Sequence, residues 1–232
     1  LLGYNPDFLI TIGGDGTILD AVTLVRDSGI PIVGINLGRM GFLSNIGRDD
    51  VLETLRSLRE NRFHLDERRL IQMHCSEVKM DLNYALNEVT VSRKDSTAMV
   101  TVKVWIDGQY LNAYWADGLI IATPTGSTGY SLSCNGPIIM PGADSLVLTP
   151  IAPHNLNVRP FVIPGNSQIK LQVQSREKQL LASLDSRIYT VPTGAEILLE
   201  AASFTIRLVE VESQSFAQTL RNKLMWGLDK RN

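Results

Sequence analysis

Residues 8–19 read FLITIGGDGTIL, and the assignment of the fold depends on this stretch. The apolar and β-branched run at 8–12 predicts a buried strand, which passes directly into the glycine-rich turn GGDGT at 13–17. After the turn, apolar residues recur at helical spacing and predict a helix over 17–26. A glycine turn between a buried strand and a helix is typical of α/β folds, whose ligands bind at the carboxyl ends of the strands.

The residues that follow continue the alternation of strand and helix. The sequence PIVGI at 31–35 predicts a second buried strand, and a helix reaching Asn61 is predicted behind a cap at Asp49 or Asp50. Strand, helix, strand and helix in this order imply parallel pairing with right-handed crossovers. We therefore expect a Rossmann-like α/β domain over 1–64, partly truncated because the chain enters its first strand within a few residues.

The hydrophobic period changes after residue 65. Residues 100–106 alternate apolar with polar or small side chains, Asp107-Gly108 supplies a hairpin turn, and 110–115 predicts the returning strand. Further strands are predicted at 84–91, 119–122, 169–173, 188–191, 197–201 and 204–211.

The rest of the chain punctuates and closes this pattern. Prolines, among them Pro150 and Pro164, are assigned to loops between the strands. We expect a β-rich, β-sandwich-like domain over 65–212. In 213–232, three apolar side chains at helical spacing predict a short closing helix that packs back on the core.

The composition limits the classes of function. The chain has 232 residues, 44% of them hydrophobic, and its 22 Lys and Arg against 24 Asp and Glu give a net charge of −2. This balance argues against a surface for nucleic acid or anionic membrane. No apolar run reaches the roughly 20 residues of a membrane span. Cys75 and Cys134 stand far apart without metal-ligand spacing, so we expect a reduced, cytoplasmic protein.

The carboxylate inside the glycine turn is the first candidate for chemistry. Such a turn at a helix N-terminus offers free backbone amides to a ligand. Asp15 could there accept a proton, hold Mg²⁺ or bind a ribose hydroxyl, or it could simply cap the helix. The turn is neither a Walker loop, which needs Gly-Lys-Ser/Thr, nor a GxGxxG fingerprint. The motif alone leaves these interpretations open.

Two later motifs carry polar groups suited to a nucleotide. In NEVTV at 87–91, the amide of Asn87 and the carboxylate of Glu88 could meet an adenine edge and a ribose diol, or form a polar pair at a strand edge. In WADGLIIATPTGSTGYSLS at 115–133, a buried strand leads into a segment rich in Thr and Ser. Hydroxyls at that density, with exposed glycine amides and Tyr130, suit the recognition of phosphates and sugar hydroxyls. We favour this interpretation over that of a solvated loop.

Weaker signals complete the survey. In SLDSR at 183–187, Asp185 and Arg187 could reach the same ligand, but a β-turn explains the sequence equally well. The three histidines form no metal spacing with each other or with the cysteines. No Gly-x-Ser-x-Gly elbow is present. We expect these remaining histidines and cysteines to be structural or surface residues.

GGDGT, NEV and DGLIIATPTGSTGYSLS occur in this order, and together they closely resemble the NAD kinases. INLGRMGFL at 35–43 and GPI at 136–138 extend the resemblance over nearly the whole chain. Diacylglycerol kinases, sphingosine kinases and 6-phosphofructokinases carry related glycine–aspartate turns. The hydroxyl-rich third motif separates the NAD kinases from them.

The resemblance implies an ATP:NAD⁺ 2′-phosphotransferase that produces NADP⁺. It implies an N-terminal α/β domain, a C-terminal β domain, a homodimer or homotetramer, and a divalent cation such as Mg²⁺ that arrives with ATP rather than in a fixed protein cage. By motif, Asp15 corresponds to the catalytic aspartate, Asn87 binds the adenine side, and Glu88 binds a ribose hydroxyl. The other implied ligand contacts are Gly16, Asp117 (nicotinamide half), Thr125, Thr128, Gly129, Tyr130, Ser131, Leu132, Ser133 and Ala152.

This sequence departs from the family pattern at a few positions. Asp185-Ser186-Arg187 stands where members often read Asp-Gly-Gln or Asp-Gly-Arg, Trp115 replaces a basic residue, and Gly129 replaces an alanine. The family also carries a further N-terminal α/β segment. An alternative hypothesis is therefore a catalytically impaired fragment or relative that binds NAD(P) without turnover. A lipid kinase is disfavoured because no amphipathic stretch suits a membrane surface.

Overall fold

The computed structural model of the chain describes residues 6–38, 41–44, 46–94, 99–211 and 215–226. Its helices are α1 (Asp15–Val25), α2 (Val51–Arg59), α3 (Tyr130–Ser133) and α4 (Phe216–Leu224). Its strands are β1 (Leu9–Ile12), β2 (Ile32–Asn36), β3 (Ile46–Gly47), β4 (His64–His74), β5 (Tyr84–Ala85), β6 (Glu88–Arg93), β7 (Val100–Ile106), β8 (Gln109–Ala116), β9 (Gly118–Ala122), β10 (Ser145–Ile151), β11 (Phe161–Pro164), β12 (Ile169–Gln174), β13 (Gln179–Leu184), β14 (Arg187–Pro192) and β15 (Glu196–Glu210).

The chain divides into two compact units. The first contains the residues up to Arg68 together with those from Thr205 onward, and the second is Arg69–Phe204. Residues 205–211, which the sequence pattern groups with the β-rich part, lie in the first unit because β15 continues into it.

A parallel sheet forms the centre of the first unit. β1 pairs with β2 from Leu9 opposite Ile32 to Ile12 opposite Ile35, and β3 and the end of β15 also pair with β2 in parallel. The apolar side chains of α1 at helical spacing are buried. α1 begins two residues before the predicted start because Gly14, in an extended conformation, serves as its N-cap. The predicted α/β character is confirmed.

Two antiparallel sheets form the second unit. One has the strand order β11-β10-β9-β6-β13-β14. In the other, β7 lies between β8 and β12, and β12 pairs with the first part of β15. Alternate side chains of both sheets meet in one apolar core, in which Val100, Val102 and Val104 are fully buried as their alternation predicts. This is the expected sandwich.

β9 is buried on both faces, and this feature positions the hydroxyl-rich segment. Leu119 and Ile121 point into the sandwich core. Ile120 and Ala122 point to the other side, where they form a second cluster with Val147. Residues that follow β9 in sequence pack against this second cluster. The hydroxyl-rich segment therefore lies on the outer face of the sheet.

Two prolines assigned to loops lie within strands instead. Pro150 lies in β10 opposite Leu119 of β9. The ladder between β10 and β11 involves Ser145 to Leu148, so the missing N–H of Pro150 breaks no bond to β11. Pro164 ends β11, whose described pairing is with β10 alone. Edge and terminal positions therefore tolerate both prolines.

The closing helix α4 forms as predicted. The Ser215 side chain accepts a hydrogen bond from the backbone N–H of Gln218 at its N-terminus, and Met225 ends it in a left-handed conformation. Phe216 of α4 packs on Phe42, with 6.1 Å between ring centroids, and the Nζ of Lys223 lies 4.6 Å from the centre of the same ring. No helix within the described ranges is long and apolar enough to cross a membrane.

Candidate active site

The GGDGT turn connects β1 to α1 through a tightly folded backbone. The backbone N–H of Gly13 donates to the Ile35 carbonyl at 2.9 Å. A Cβ at Gly13 would lie 2.5 Å from a side-chain carbon of Thr17, so only glycine fits there. A Cβ at Gly14 or Gly16 would meet nothing within 4 Å. Sterically, the turn therefore requires glycine at position 13 but not at positions 14 and 16.

The carboxylate of Asp15 is held by the loop 41–44. Oδ2 accepts the backbone N–H of Phe42 at 2.9 Å. Oδ1 accepts the backbone N–H groups of Leu43 (3.1 Å) and Ser44 (3.0 Å) and the hydroxyl of Ser44 (3.1 Å). A carboxylate offers about four acceptor sites, two on each oxygen. Oδ1 accepts three hydrogen bonds, which share its two acceptor sites, whereas Oδ2 accepts one from the described residues and has capacity for one more donor, such as a substrate hydroxyl.

Gly41 and Asn36 make this arrangement possible. A Cβ at Gly41 would overlap Oδ1 of Asp15, so the loop approaches the carboxylate only because residue 41 is glycine. The buried Asn36 donates from Nδ2 to the carbonyl of Ser44 (3.2 Å) and its hydroxyl (3.0 Å). The sequence motifs assign no role to Asn36 or Ser44. The available signal is a polar residue at the end of a buried strand, followed by the Gly-Phe pair of INLGRMGFL.

A second cluster, in the other unit, is built around Asn87 and Glu88 at the start of β6. The carboxylate of Asp185 accepts the backbone N–H groups of Leu86 at 2.9 Å, Asn87 at 2.8 Å and Glu88 at 3.3 Å. The structure thus brings together NEV and SLDSR, which lie almost 100 residues apart in sequence. Arg187 donates from Nη1 to the Leu82 carbonyl at 2.9 Å and from Nη2 to the Tyr84 carbonyl. These contacts within the chain account for Asp185 and Arg187, and their role as ligand contacts stays a prediction.

Glu88 is a mostly buried acid. Burial, and secondarily the charge of Asp185, raises the pKa of Glu88 to about 8, although a hydrogen bond from the Tyr130 backbone N–H opposes this rise. Its Oε2 is buried and has no hydrogen-bond partner among the residues that the structure describes. A protonated Glu88 with one free oxygen suits a hydroxyl-bearing ligand, because it can both donate and accept a hydrogen bond.

The hydroxyl-rich segment folds against Asn87. The backbone N–H of Thr123 donates to the Asn87 carbonyl at 2.9 Å, and the Thr123 hydroxyl donates to the Leu86 carbonyl at 2.6 Å. A Cβ at Gly126 would overlap the Asn87 carbonyl, which explains the glycine in this position. A 3₁₀ turn over Gly126–Thr128 then leads into α3.

Many hydroxyls of this segment brace the fold rather than face solvent. Ser127 donates to the Pro124 carbonyl at 2.6 Å and accepts the Ile139 N–H at 2.9 Å. The hydroxyls of Ser131 and Thr149 lie 2.8 Å apart, and both residues are fully buried. The density of Thr and Ser therefore has a structural cause that the sequence pattern did not separate from ligand binding. The assignment of Ser131 to a ligand stays a prediction, as does that of Thr125, which is also buried.

Other predicted site residues remain accessible. Tyr130 is 46% exposed, Ser133 is exposed, and Thr128, Gly129 and Leu132 are half-buried. Burial raises the pKa of the Tyr130 hydroxyl, and the nearby Cys134, Asp117 and Glu88 add to this rise. Tyr130 therefore lies close to Asp117 and Glu88, two of the predicted ligand-binding acids.

Asp117 is paired with a cation that the sequence motifs do not identify. Its Oδ2 accepts from Nη2 of Arg93 at 2.8 Å, and the two side chains are both 29% exposed. Ala152 follows Ile151, whose carbonyl accepts the Asp117 N–H at 3.0 Å, and Ala152 has a φ of 42°. The ring of Trp115 packs on that of His154 at an interplanar angle of 45°, with 4.4 Å between the ring centroids.

Cavities of the second unit lie away from these motifs. One of about 700 Å³ is lined by Tyr114, residues 154–159 and Phe161, and another of about 370 Å³ lies beside Phe161 and Ile163. Neither of these cavities is lined by a predicted site residue, so the assignment of the site rests on the motif residues. In the described ranges, no group of three or more His, Cys, Asp and Glu side chains is arranged to hold a metal ion.

Comparisons with known proteins identify the relatives of the chain. Residues 4–63 match the model of the ATP-NAD kinase N-terminal domain, and residues 86–211 match that of the ATP-NAD kinase C-terminal domain. NAD kinase of Flavobacterium psychrophilum is 54% identical over 235 residues, covering 100% of this chain and 80% of the relative. NAD kinase of Bacteroides fragilis is 42% identical over 229 residues, covering 98% of this chain and 79% of the relative.

Solved structures agree with these matches. Yeast NADH kinase in complex with NADH superposes with a TM-score of 0.88 at 26% identity, covering 96% of this chain and 68% of that one. An NAD kinase from Archaeoglobus fulgidus in complex with ATP gives a TM-score of 0.79 at 29% identity, covering 94% of this chain and 83% of that one.

Proposed function

The chain belongs to the ATP-NAD kinase family and is a kinase that phosphorylates NAD⁺ with ATP, and we propose that Asp15 is its catalytic residue. The acceptor is the 2′-hydroxyl of the adenosine ribose, and the product is NADP⁺. One observation supports the role of Asp15 most directly. Its carboxylate is fixed by four hydrogen bonds from the loop 41–44, and Oδ2 accepts only one of them, which leaves it an acceptor site as far as the described residues show.

The chemistry required of the protein is modest. In phosphoryl transfer, the acceptor oxygen forms a bond to the γ-phosphorus while the bond to the β,γ-bridging oxygen breaks and ADP leaves. Asp15 Oδ2 would hold the 2′-hydroxyl and take its proton as the new bond forms. Fixing the carboxylate by backbone amides before substrate binds reduces the reorganisation needed during the reaction.

We assign binding of the dinucleotide to the second cluster. Asn87 would bind the adenine side, Glu88 a ribose hydroxyl, and Asp117 the nicotinamide half. Thr125, the residues from Thr128 to Ser133 and Ala152 would complete the pocket. The free Oε2 of Glu88 and the exposed ring of Tyr130 support this assignment.

A divalent cation, the assembly and the compartment are further parts of the proposal. Mg²⁺ commonly binds through one or two carboxylates together with substrate phosphates. Asp15 would contribute at most this one carboxylate, and the phosphate oxygens of ATP would supply ligands that are independent of the protein. Mg²⁺ would neutralise the negative charge of the phosphates next to this carboxylate. We also propose that the protein is cytoplasmic and that it forms a homodimer or homotetramer. Light scattering on the purified chain would measure the size of the assembly.

The function is tested by measuring NADP⁺ formation from NAD⁺ and Mg-ATP. We expect Asp15→Asn to lower kcat by about 10²–10⁴-fold, because the amide cannot take up the proton. Asp20→Asn is the matched control, since Asp20 is an exposed aspartate on the same helix. Wild-type turnover in Asp15→Asn would remove Asp15 from catalysis. Binding of NAD⁺ without turnover by the unaltered chain would instead favour a dinucleotide-binding relative.

A further inference from the structure

Asp185 lies in the tight turn between β13 and β14. Its φ is 52°, a left-handed conformation that aspartate tolerates better than most side chains do. Leu184 and Arg187 pair across the turn. The side chain of Asp185 is only 4% exposed. Its carboxylate is therefore directed into the protein rather than toward solvent.

The buried carboxylate is used almost entirely on one short segment. It accepts the consecutive backbone N–H groups of Leu86, Asn87 and Glu88, and the backbone N–H of Asp185 donates back to the Glu88 carbonyl at 3.1 Å. Hydrogen bonds from amides to an ionised carboxylate are stronger than neutral ones. Three of them fix the peptide planes from which the Asn87 and Glu88 side chains project.

Arg187 holds the preceding residues in the same way. Its guanidinium donates to the carbonyls of Leu82 and Tyr84, and its Nη2 lies 3.9 Å from Oδ2 of Asp185. The turn thus holds residues 82–88 with an anion on the amides and a cation on the carbonyls.

We propose that Asp185 is a positioning residue for dinucleotide binding, acting through the amides of 86–88 to aim Asn87 and Glu88 at the adenosine half of NAD⁺. This inference rests on the proposed function, which assigns those two side chains to the adenosine. Asp185 itself needs no contact with the substrate.

The charge of Asp185 also reaches Glu88 directly. Among the residues that the structure describes, the charged and titratable groups near Glu88 are Asp185, with Arg187 beyond it, and Tyr130, with Asp117 and Cys134 beyond it. Burial is the largest cause of the raised pKa of Glu88, and Asp185 is the second. Removing the charge at 185 will therefore lower the pKa of Glu88.

The test compares the unaltered chain with Asp185→Asn and Asp107→Asn. Asp107 is a matched control because it lies in the hairpin turn between β7 and β8 with a φ of 50° and accepts a backbone N–H, that of Gln168, at 2.8 Å. Asp107 is not itself a predicted ligand contact. Three quantities are measured: the Kd for NAD⁺ by calorimetry, the KM for Mg-ATP, and the pKa of Glu88 by carboxyl-carbon NMR, with Glu88→Gln assigning the signal.

We expect Asp185→Asn to raise the Kd for NAD⁺ about tenfold or more, the effect of weakening a charged hydrogen-bond network. The KM for Mg-ATP should stay within about twofold, and the pKa of Glu88 should fall by about one unit. Asp107→Asn should leave all three quantities unchanged.

Two results would overturn the inference. One is an NAD⁺ affinity in Asp185→Asn equal to that of Asp107→Asn. The other is an equal rise in the Kd for NAD⁺ and in the KM for Mg-ATP, together with an unchanged pKa of Glu88. General loosening of the fold would cause that result. If the unaltered chain binds NAD⁺ without turning it over, the proposed function fails, while the affinity and NMR comparisons still decide the role of Asp185.

Discussion

Asp15 and Glu88 illustrate how surroundings assign different work to similar side chains. Asp15 is surrounded by N–H and O–H donors from the loop 41–44, which fix the orientation of its carboxylate. Glu88 is buried near a second carboxylate, and both effects raise its pKa from the ordinary value of 4.5 to about 8. One acid is thus suited to accept a proton from substrate and the other to hold a hydroxyl.

The raised pKa of Glu88 makes stability depend on pH. Its pKa rises from the ordinary value of 4.5 to about 8 on folding, so between these values the folded chain binds a proton that the unfolded chain lacks. The free energy of unfolding therefore falls as pH rises through this window. We expect Glu88→Gln to melt close to the unaltered chain at about pH 5 and at a higher temperature at about pH 8.5, because Gln carries no charge to bury.

Thermal melts at the two pH values measure this effect. Glu196→Gln is a suitable control, because Glu196 is an exposed carboxylate paired with Lys170 at 3.5 Å. Parallel loss of melting temperature with rising pH in Glu88→Gln and the unaltered chain would contradict the assignment of a protonated Glu88.

At the scale of elements, sequence patterns predicted what local periodicity encodes. The first strand, α1, the hairpin of β7 and β8, and α4 follow from apolar spacing and turn residues. β4 was not predicted, because its first half carries Asp66, Glu67, Arg68 and Arg69 in succession and lacks a regular apolar alternation. Arg68 is nevertheless buried and pairs with Asp66, a compensation visible only in three dimensions.

The residues of the candidate site also divide into those that local motifs predict and those that only the fold brings together. Asp15, Glu88 and Tyr130 stand in motifs with an evident chemical logic. By contrast, the hydrogen bonds of Asp185 to residues 86–88 join segments almost 100 residues apart, and no spacing in the sequence encodes them. The loop 41–44 shows the same limit, because its amides bind Asp15 through backbone atoms that any residue would supply.

The loop 41–44 yields a prediction at this scale. Gly41→Ala would place a methyl group against Oδ1 of Asp15, so either the loop or the carboxylate must move. We expect kcat to fall by about 10–100-fold, since displacement of a catalytic group by about 1 Å costs on that order. Gly38→Ala is the control, because a Cβ there comes no closer than 3.9 Å to Asn36.

The steady-state assay for NADP⁺ separates these outcomes. Circular dichroism would first check that Gly41→Ala is folded. A loss of kcat in the folded variant would then indicate that Asp15 has been displaced. Equal kcat values for the Gly41 and Gly38 variants would show that the contact between the loop and Asp15 is irrelevant to turnover.

At the scale of the whole molecule, charge poses a problem that local structure must solve. The chain carries a net charge of −2, and its proposed substrates are anionic. No long-range attraction therefore concentrates them at the protein. The proposed function therefore assigns binding to directed donors and to the proposed cation that accompanies ATP. The local groups that we propose for this role include the backbone amides at the N-terminus of α1 and the Arg93–Asp117 pair.

Binding of NAD⁺ should accordingly stabilise the whole chain against heat. A ligand that binds only the folded state at about 100 times its Kd adds about 2.7 kcal/mol to the free energy of unfolding. For a chain of this size, that corresponds to a rise in Tm of about 5–10 °C. Nicotinamide mononucleotide at the same concentration should give a much smaller shift, because it lacks the adenosine assigned to Asn87 and Glu88. Equal shifts with both ligands would place the binding energy in the nicotinamide half and contradict that assignment.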